Sequence, residues 1–445
     1  MNTPICDFVR RYAESGSLRL HMPGHKGAGP LGIEHLDITE IPGADSLYDA
    51  DGIIRESEEN AGALFGCKTL YSTEGSSHGI RAMVYLAALH AKAQGKPLHI
   101  LAGRNAHGSF ISAACMAEAT VSWLYGRGTD YLSCRADAAA VEAAILKLPE
   151  KPTALYITSP DYLGQTSDIR ALAAVCRRHN LLFLVDNAHG AYLKFLPESR
   201  HPIDLGADMC CDSAHKTLPV LTGGAYLHIS PSAPPVLKNE ARRALALFGS
   251  TSPSYLILQS LDKANPYLAG HTERLASFLP AVEKTRRNLE SRGFYFVGDE
   301  PQKLTVAAKA YGYRGTDLAR LLAEANIICE FADPDFLVLM VTPETGAEGL
   351  DRLQRVLAAV PKRPEITEKP PLPGKGEQVL RIREALFVPR EDIPAEESMG
   401  RILASPTLSC PPAVPIVAAG ERIDEAAVRC FAYYGITQCT VVKEL

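Results

Sequence analysis

The segment Ser213-Ala214-His215-Lys216-Thr217 places an amine, an imidazole and two hydroxyl groups within one short stretch. It comes just after the run Ala207–Cys211, which is typical of a buried strand, and precedes the turn Thr222-Gly223-Gly224. A lysine amine becomes a nucleophile when it is desolvated and has proton carriers nearby, so Lys216 is a candidate Schiff-base lysine. Taken alone, a lysine in a loop is more often a surface residue. The neighbouring motifs are therefore needed to assign a role to Lys216.

Asp186 lies about 30 residues earlier, where the apolar run Leu181–Val185 meets Asp186-Asn187-Ala188-His189-Gly190. A carboxylate at the end of a buried strand can hold a protonated pyridine nitrogen. Pyridoxal phosphate needs such a partner to act as an electron sink. The alternative for this aspartate is a turn or a helix cap.

Two further motifs carry groups for a phosphate and for a flat ring. Thr73-Glu74-Gly75-Ser76-Ser77 opens a long helical pattern, and glycine and hydroxyls at a helix N-terminus offer N–H groups and a favourable dipole to a phosphate. Ser76 also fits a simple helix cap. His107 follows the apolar run Leu98–Leu101. An imidazole at that position could stack on a flat ring. The order along the chain is therefore phosphate cup, stacking histidine, aspartate and lysine.

Short apolar runs alternate with helical patterns between about residues 70 and 230 and must position these groups. The predicted strands are Leu98–Leu101, Val121–Leu124, Ala154–Thr158, Leu181–Val185, Met209–Cys211 and Ala225–Ile229. The predicted helices are Gly79–Gln94, His107–Ala117, Ala136–Leu148 and Ile169–His179. This alternation predicts an α/β fold with a mostly parallel sheet and helices on both faces. Such sheets bind ligands at the carboxyl ends of their strands, where the candidate residues lie.

The rest of the chain predicts smaller units. A long helical stretch runs from Tyr255 to about Arg292, and Val360–Gly376 is rich in proline and charge, as linkers are. A small α+β unit is predicted from strands Leu304–Ala308, Ile327–Phe331 and Phe336–Val341 and helices Thr316–Ala325 and Gly346–Ala359. We expect an N-terminal arm (1–40), a large domain (41–255), a connector helix with a small α+β domain (256–360), a linker (361–376) and a C-terminal domain (377–445).

The composition excludes several classes of protein. The 445 residues carry a formal net charge of −5, and 46% of them are hydrophobic, which fits a globular protein with no nucleic-acid or anionic-membrane partner. The longest apolar runs are far shorter than the roughly 20 residues that a membrane helix needs. Eleven scattered cysteines without a CxxC pair, and no apolar signal core at the N-terminus, predict reduced thiols and a cytoplasmic protein.

Together the motifs resemble the ornithine/lysine/arginine decarboxylase family of pyridoxal-phosphate enzymes, in a short form without the N-terminal receiver-like domain. The matching segments span about residues 20 to 425. They are Leu20–Gly27, Gly43–Leu47, Gly52–Glu56, Phe65-Gly66, Arg104–His107, Asp186–Gly190, Ser213–Pro219, Ser250–Tyr255 and Pro411–Pro415.

The resemblance implies a fold type I large domain with a seven-stranded type of sheet, followed by smaller α+β C-terminal domains. Lys216 would form the Schiff base, Asp186 would pair with the ring nitrogen and His107 would stack on the ring. The residues implied to be catalytic are Lys216, His215, His107 and Asp186. The other cofactor-binding residues would be Gly75, Ser76, Ser77, Ala188, Ser213 and His215. Thr251 or Ser252 would reach the phosphate of a neighbouring subunit, giving an obligate homodimer with active sites at the subunit interface.

Several positions depart from the family pattern. The family usually has Glu where this chain has Asn187, Asn-Gly-Thr in place of Glu74-Gly75-Ser76, and Gln in place of Gly223. Around the stacking histidine it commonly has Cys and Lys where Ala106 and Gly108 stand. These changes leave the cofactor chemistry intact and bear on substrate identity and activity.

The implied reaction is α-decarboxylation of arginine, lysine or ornithine, which releases CO₂ and an amine that can serve as a polyamine precursor. Lys216 or His215 would return a proton to Cα. The distal cation of the substrate needs an acidic partner, and Asp45 and Glu421 are the candidates by position.

Other functions fit the same scaffold. Aminotransfer or β-elimination is one alternative, and Arg314 could then anchor the substrate carboxylate. A non-catalytic regulatory relative is another, although Lys216 and Asp186 count against it. No metal site is expected, because the Pro-Gly turn between His21 and His25 prevents a shared helix face and no third ligand is evident.

Overall fold

The computed structural model describes residues 1–126, 130–408 and 411–443. The helices are α1 (Pro4–Glu14), α2 (Ile53–Phe65), α3 (Gly75–Ala93), α4 (Gly108–Met116), α5 (Ala138–Lys147), α6 (Ile169–His179), α7 (Pro202–Leu205), α8 (Ala214–Thr217), α9 (Pro235–Phe248), α10 (Tyr255–Leu268), α11 (His271–Glu290), α12 (Gly315–Glu324), α13 (Gly346–Ala359), α14 (Ile382–Phe387) and α15 (Glu425–Tyr433). The strands are β1 (Lys68–Ser72), β2 (His99–Gly103), β3 (Thr120–Leu124), β4 (Ala154–Thr158), β5 (Leu182–Asp186), β6 (Met209–Asp212), β7 (Ala225–Ile229), β8 (Phe296–Val297), β9 (Lys303–Ala307), β10 (Phe331–Ala332), β11 (Phe336–Met340), β12 (Arg390–Pro394) and β13 (Gln438–Val442).

Seven strands form one sheet in the order β1-β7-β6-β5-β4-β2-β3. The pairs β2–β3, β2–β4 and β5–β6 are parallel, whereas β7 runs antiparallel to both β1 and β6. Every residue of β2, β5 and β7 is buried, as expected for strands covered on both faces. The predicted α/β fold with a mostly parallel sheet is confirmed.

All six strands predicted for this sheet are present, each within two residues of its predicted bounds. The additional strand, β1, was not predicted because its sequence, Lys-Thr-Leu-Tyr-Ser, mixes polar and apolar residues. Its buried polar residues have partners: Thr69 Oγ1 lies 2.9 Å from Nδ1 of His228 on β7. This cross-strand contact depends on tertiary structure, so no local pattern reveals it.

The chain forms two compact units, residues 1–96 with 180–275 and residues 97–179 with 276–445. In the first unit, α3 packs against α9, β6 and β7. Its buried residues include Ile80, Met83 and Val84, whose spacing predicted a helix here. The five-part domain division stays a prediction.

In the second unit, four strands form an antiparallel sheet in the order β10-β11-β9-β8. Apolar side chains of this sheet and of α11, α12 and α13 form one core, which includes Leu304, Leu318, Leu337 and Leu357. The predicted strands and helices of a small α+β unit are therefore largely present.

Two predicted elements differ from the structure. The single helix predicted from Tyr255 to about residue 292 is two helices, α10 and α11, which are separated at Gly270, because glycine is a poor helix former. The strand predicted at Ile327–Phe331 is reduced to Phe331–Ala332. Ile328 is 82% exposed, so most of that segment has no face to bury in a sheet.

The C-terminal part of the second unit contains the antiparallel pair β12–β13 and the helices α14 and α15. Residues 361–376, predicted as a linker, contain no helix or strand.

The expectations from composition concern membranes and cysteines. None of the helices in the described residues is both long enough and apolar enough to cross a membrane. The ten cysteines among those residues are free thiols, and Cys210 and Cys211 are buried.

Candidate active site

Lys216 lies in α8, a single helical turn that follows β6 in the first unit. Its Nζ is 3.0 Å from Nε2 of His189, which is 5% exposed. The neighbouring His215 directs Nδ1 to the carbonyl oxygen of Gly224 at 3.0 Å, and that nitrogen must carry a proton because a carbonyl only accepts. The lysine amine therefore has a buried imidazole within hydrogen-bonding distance, as a lysine nucleophile requires.

The residues predicted to hold a phosphate lie together at the N-terminus of α3. Ser213 Oγ donates to Ser76 Oγ at 2.7 Å, and both side chains are buried. Gly75 starts the helix with φ of +73°, and its N–H donates to Gly223 O at 2.7 Å. Ser77 is half-buried on the first turn. Two adjacent hydroxyls at the N-terminus of a long helix fit a phosphate group.

Asp186 is the last residue of β5 and is 2% exposed. Its Oδ1 accepts the N–H of the buried Ala188 at 3.2 Å, and Cys211 Sγ lies 4.0 Å away. Burial raises the pKa of Cys211 well above its usual value, so this neighbour is a neutral thiol. A buried carboxylate at the carboxyl end of a central strand fits a protonated ring nitrogen, and the residues of the first unit therefore fit pyridoxal phosphate.

Thr251 and Ser252 lie between α9 and α10 and are exposed. Ser252 N donates to Ser250 Oγ at 3.2 Å, and Ser254 caps α10 by accepting the N–H of Ile257. The contact of Thr251 or Ser252 with a neighbouring subunit stays a prediction.

Asp45, predicted to bind the distal cation of the substrate, is 5% exposed and has backbone partners. Its Oδ2 accepts the N–H groups of Gly52, Ile54 and Arg55 at the start of α2. Its Oδ1 accepts those of Ser46 and Asp51. Backbone donors thus hold the Asp45 carboxylate at the start of α2, and its contact with the substrate stays a prediction.

His107 belongs to the second unit, where it is the N-cap of α4. Its Nδ1 accepts the N–H of Ser109 at 3.1 Å and lies 2.8 Å from Ser109 Oγ. The same helix start is tied to the C-terminal segment, since Gly108 N donates to Ala413 O at 2.8 Å. The imidazole of His107 is thus held in one orientation, and its stacking role stays a prediction.

Glu421, the other candidate for the substrate cation, is 1% exposed in the second unit. Its Oε2 accepts a hydrogen bond from Arg104 Nη2 at 2.8 Å and another from Ala418 N at 2.7 Å. Arg104 also donates to Pro415 O and Ile416 O and lies over the ring of Trp123. The charge of Glu421 therefore already has a cation, which ties the C-terminal segment to the end of β2.

The residues considered for an aminotransferase or a metal site, which are Arg314, His21 and His25, each contact another side chain. Arg314, offered as an anchor for a substrate carboxylate, is half-exposed and pairs with Glu368 at 3.3 Å. His21 Nε2 lies 2.5 Å from Tyr12 OH, and His25 Nε2 lies 3.2 Å from Asp37 Oδ2.

His189 and Asp212 are the two residues that sequence reasoning missed. His189 stood inside the motif after Asp186 but received no role, because its distance from Lys216 depends on the fold. Asp212 directly precedes the Ser213 motif and was not singled out, although a charged residue at the end of a buried strand signals a partner nearby.

Comparisons with known proteins bear on these observations. Residues 3–307 match the model of the family described as Orn/Lys/Arg decarboxylase, major domain. An arginine decarboxylase of Bacillus subtilis (strain 168) is 28% identical over 459 residues, covering 95% of this chain and 91% of the relative. The uncharacterized protein YaaO of the same organism is 28% identical over 464 residues, covering 96% of this chain and 93% of that protein.

A solved structure shows the same fold. The lysine decarboxylase LdcF of Francisella novicida is similar with a TM-score of 0.80 and 17% identity, over 99% of this chain and 81% of that chain. Because the family model matches more than half of the sequence, the chain belongs to the Orn/Lys/Arg decarboxylase family, whose cofactor is pyridoxal phosphate.

Proposed function

We propose that this protein removes the α-carboxylate of a basic amino acid as CO₂ and releases the corresponding amine, with arginine as the first candidate substrate. The observation that carries the proposal is the 3.0 Å contact between Lys216 Nζ and His189 Nε2. Arginine ranks before lysine and ornithine because a curated relative that covers 95% of the chain, at 28% identity, is named arginine decarboxylase.

The residues of the first unit divide the work of holding the cofactor. Lys216 would hold the aldehyde group of the cofactor, and the buried Asp186 would pair with its ring nitrogen. Gly75, Ser76, Ser77 and Ser213 would hold the phosphate at the N-terminus of α3, with Ala188 and His215 alongside. His107 would stack on the ring, as the family resemblance implies. When bound, the cofactor supplies the sink for the electron pair of the broken Cα–carboxylate bond.

The protein itself must orient the substrate and move protons. Fixed side chains would hold the Cα–carboxylate bond of the substrate in the one orientation that favours its cleavage. After CO₂ leaves, Cα needs a proton, which Lys216 or His215 donates. His189 relays a proton to Lys216 over the 3.0 Å contact.

Assembly and location are further parts of the proposal. A homodimer with active sites at the subunit interface would bring the exposed Thr251 or Ser252 of one chain to the phosphate of the other. Free, buried thiols such as Cys210 and Cys211 support a reducing compartment such as the cytoplasm, where the amine product would enter polyamine synthesis.

The decisive experiment offers arginine, lysine and ornithine in turn to the purified protein loaded with pyridoxal phosphate. We expect stoichiometric CO₂ and amine from one of them, with arginine turned over fastest. A keto acid in place of the amine would establish aminotransfer. No product from any of the three would point to a regulatory relative and overturn the proposal.

A further inference from the structure

A chain of buried polar side chains crosses the neighbouring strands β1, β7, β6 and β5 in the first unit. Thr69 Oγ1 lies 2.9 Å from His228 Nδ1, and His228 Nε2 lies 3.2 Å from Asp212 Oδ2. Asn187 Nδ2 donates to Asp212 Oδ1 at 2.7 Å, and His201 Nε2 reaches Asp212 Oδ2 at 3.0 Å. These five residues, of which all but Thr69 are 0% exposed, are called the Asp212 network below.

Asp212 is charged although it is completely buried. Burial by itself raises the pKa of this carboxyl group, but the attraction of His201 and His228 outweighs burial and holds the pKa of Asp212 below its usual range. Burial by itself would lower the pKa of His228. The nearby charge of Asp212 has the larger effect, so the pKa of His228 is raised above its usual value. Removing one partner of such a buried pair leaves an uncompensated charge, so the members hold one another in place.

The charge of Asp212 also fixes the side-chain amide of Asn187. Nδ2 faces the carboxylate, while Oδ1 is buried and makes no hydrogen bond within the part of the chain that the structure describes. The reverse orientation would set Oδ1 against a carboxylate oxygen, which costs more than one unpaired acceptor. Space is tight as well, because a Cβ on Gly190 would lie 2.0 Å from Oδ1.

The network holds the sheet from the face opposite to Asp186. Asp186 is in register with Cys211, and the 4.0 Å contact between their side chains shows that they share a face. Successive residues of a strand point to opposite faces, so Asp212 lies on the other face. Asn187 directly follows Asp186, and Ser213 directly follows Asp212. The Asn187–Asp212 hydrogen bond therefore links the chain segments that carry Asp186 and Ser213.

We propose that Asp212 is a positioning residue, which sets the separation of Asp186 from Ser213 through its hydrogen bond with Asn187. The inference rests on the proposed function, in which Asp186 holds the ring nitrogen and Ser213 the phosphate. A rigid, planar cofactor anchored at two ends needs a fixed distance between its anchors, and small displacements of either anchor weaken its binding.

The same cluster has one competing interpretation. His201 Nε2, Cys210 Sγ and an oxygen of Asp212 lie within 4.8 Å of one another, which suits a metal ion as well. The carboxylate of Asp212, however, already accepts hydrogen bonds from Asn187 and from two imidazoles. This full set of donors favours the hydrogen-bonded network.

Exchanging the amide of Asn187 and the carboxylate of Asp212 tests whether their hydrogen bond matters or only the presence of a charge at position 212. In Asp212→Asn we expect the cofactor to leave about tenfold faster, because a charge-assisted hydrogen bond is lost, while borohydride still traps the cofactor on Lys216. Asn187→Asp sets two carboxylates against each other and should accelerate dissociation at least as much. The double variant N187D/D212N restores an amide–carboxylate pair and should recover most of the retention. The measurement is the decay of the lysine-bound absorbance after dilution into a carbonyl scavenger.

A milder variant guards against misfolding. Asn187→Ala leaves Asp212 with both histidines, so we expect faster cofactor loss but a nearly unchanged melting temperature of the cofactor-free protein. The inference is overturned if Asn187→Ala and Asp212→Asn keep the wild-type dissociation rate, or if the wild-type protein carries one zinc ion per chain that Asp212→Asn loses. The readout is cofactor retention, so it remains valid even if no basic amino acid proves to be a substrate.

Discussion

Lys216 Nζ and His189 Nε2 lie 3.0 Å apart, although 27 positions separate the two residues in the sequence. β5 leads into the segment that carries His189, and β6 leads into the turn that carries Lys216. Because β5 and β6 are adjacent and parallel, both segments leave the sheet at the same edge. The sheet itself thus brings the candidate nucleophile and a candidate proton carrier together.

Replacement of His189 tests the relay. In His189→Gln we expect kcat to fall about 100-fold, the lower end of what a positioned proton carrier contributes, with KM nearly unchanged. Borohydride should still attach the cofactor to Lys216, since the amine itself is intact. His90→Gln, on the last turn of α3, is the control and should keep the wild-type rate. Wild-type kcat in His189→Gln would rule out the relay.

Replacement of Lys216 tests the covalent link. Lys216→Ala should abolish both the visible absorbance of the bound cofactor and CO₂ release, because no other residue is assigned to bind the aldehyde. Peptide mapping after borohydride reduction of the wild-type protein should find the adduct on Lys216. Lys92→Ala, at an exposed position of α3, should leave absorbance and activity intact. An adduct that persists in Lys216→Ala would show that another lysine is the nucleophile.

The hydroxyl pair of Ser76 and Ser213 tests the phosphate cup. Each of Ser76→Ala and Ser213→Ala should weaken cofactor binding about tenfold, the value of roughly one hydrogen bond to a charged group. Since the two hydroxyls are 2.7 Å apart, the double variant should lose less than the sum of the single losses. Equilibrium dialysis of the cofactor measures all three. Strict additivity would mean that the two serines do not share a ligand.

The fold was predictable where short-range patterns decide it. Apolar runs located β2 to β7, because buried parallel strands need apolar residues on both faces, and motif order placed Asp186 and Lys216 at strand ends. The substrate contacts assigned to Asp45 and Glu421 rested on position alone. The guanidinium that pairs with Glu421 lies 317 residues away in the sequence, so no local pattern reveals it. The donors around Asp45 are backbone N–H groups, which every sequence has, so the residue types nearby do not reveal them either.

Because Glu421 pairs with Arg104, we expect its replacement to lower the stability of the protein and not its affinity for substrate. Glu421→Gln leaves the guanidinium of Arg104 without its carboxylate in a nearly buried site, which should cost about 3–5 kcal/mol in unfolding free energy. KM for the preferred amino acid should change little. Glu425→Gln removes an exposed partner of Arg429 and should cost less than about 1 kcal/mol. A large rise in KM with unchanged stability would instead support substrate binding by Glu421.

The buried carboxyl group of Asp161 should make the melting temperature of the protein depend on pH. Burial raises the pKa of this carboxyl group to about 7, although its side chain accepts the N–H groups of Leu163 and Gln165. At this site the folded state therefore binds a proton more tightly than the unfolded chain, so the contribution of Asp161 to stability is greatest at low pH and declines as the pH rises through about 7. Asp161→Asn keeps an oxygen for both N–H groups but cannot ionise. We expect it to raise the melting temperature more at pH 8 than at pH 5, because the contribution of a protonated Asp161 is only partly lost at pH 5.

The control for this experiment is an exposed aspartate in the same unit. Asp351 lies exposed on α13, so Asp351→Asn should change the melting temperature equally at both pH values. Burial also raises the pKa of Asp333, likewise in the second unit, to about 7, so a decline with pH should persist in Asp161→Asn at reduced slope. Identical pH profiles for wild type and Asp161→Asn would mean that Asp161 keeps its charge throughout, with its two backbone donors outweighing burial.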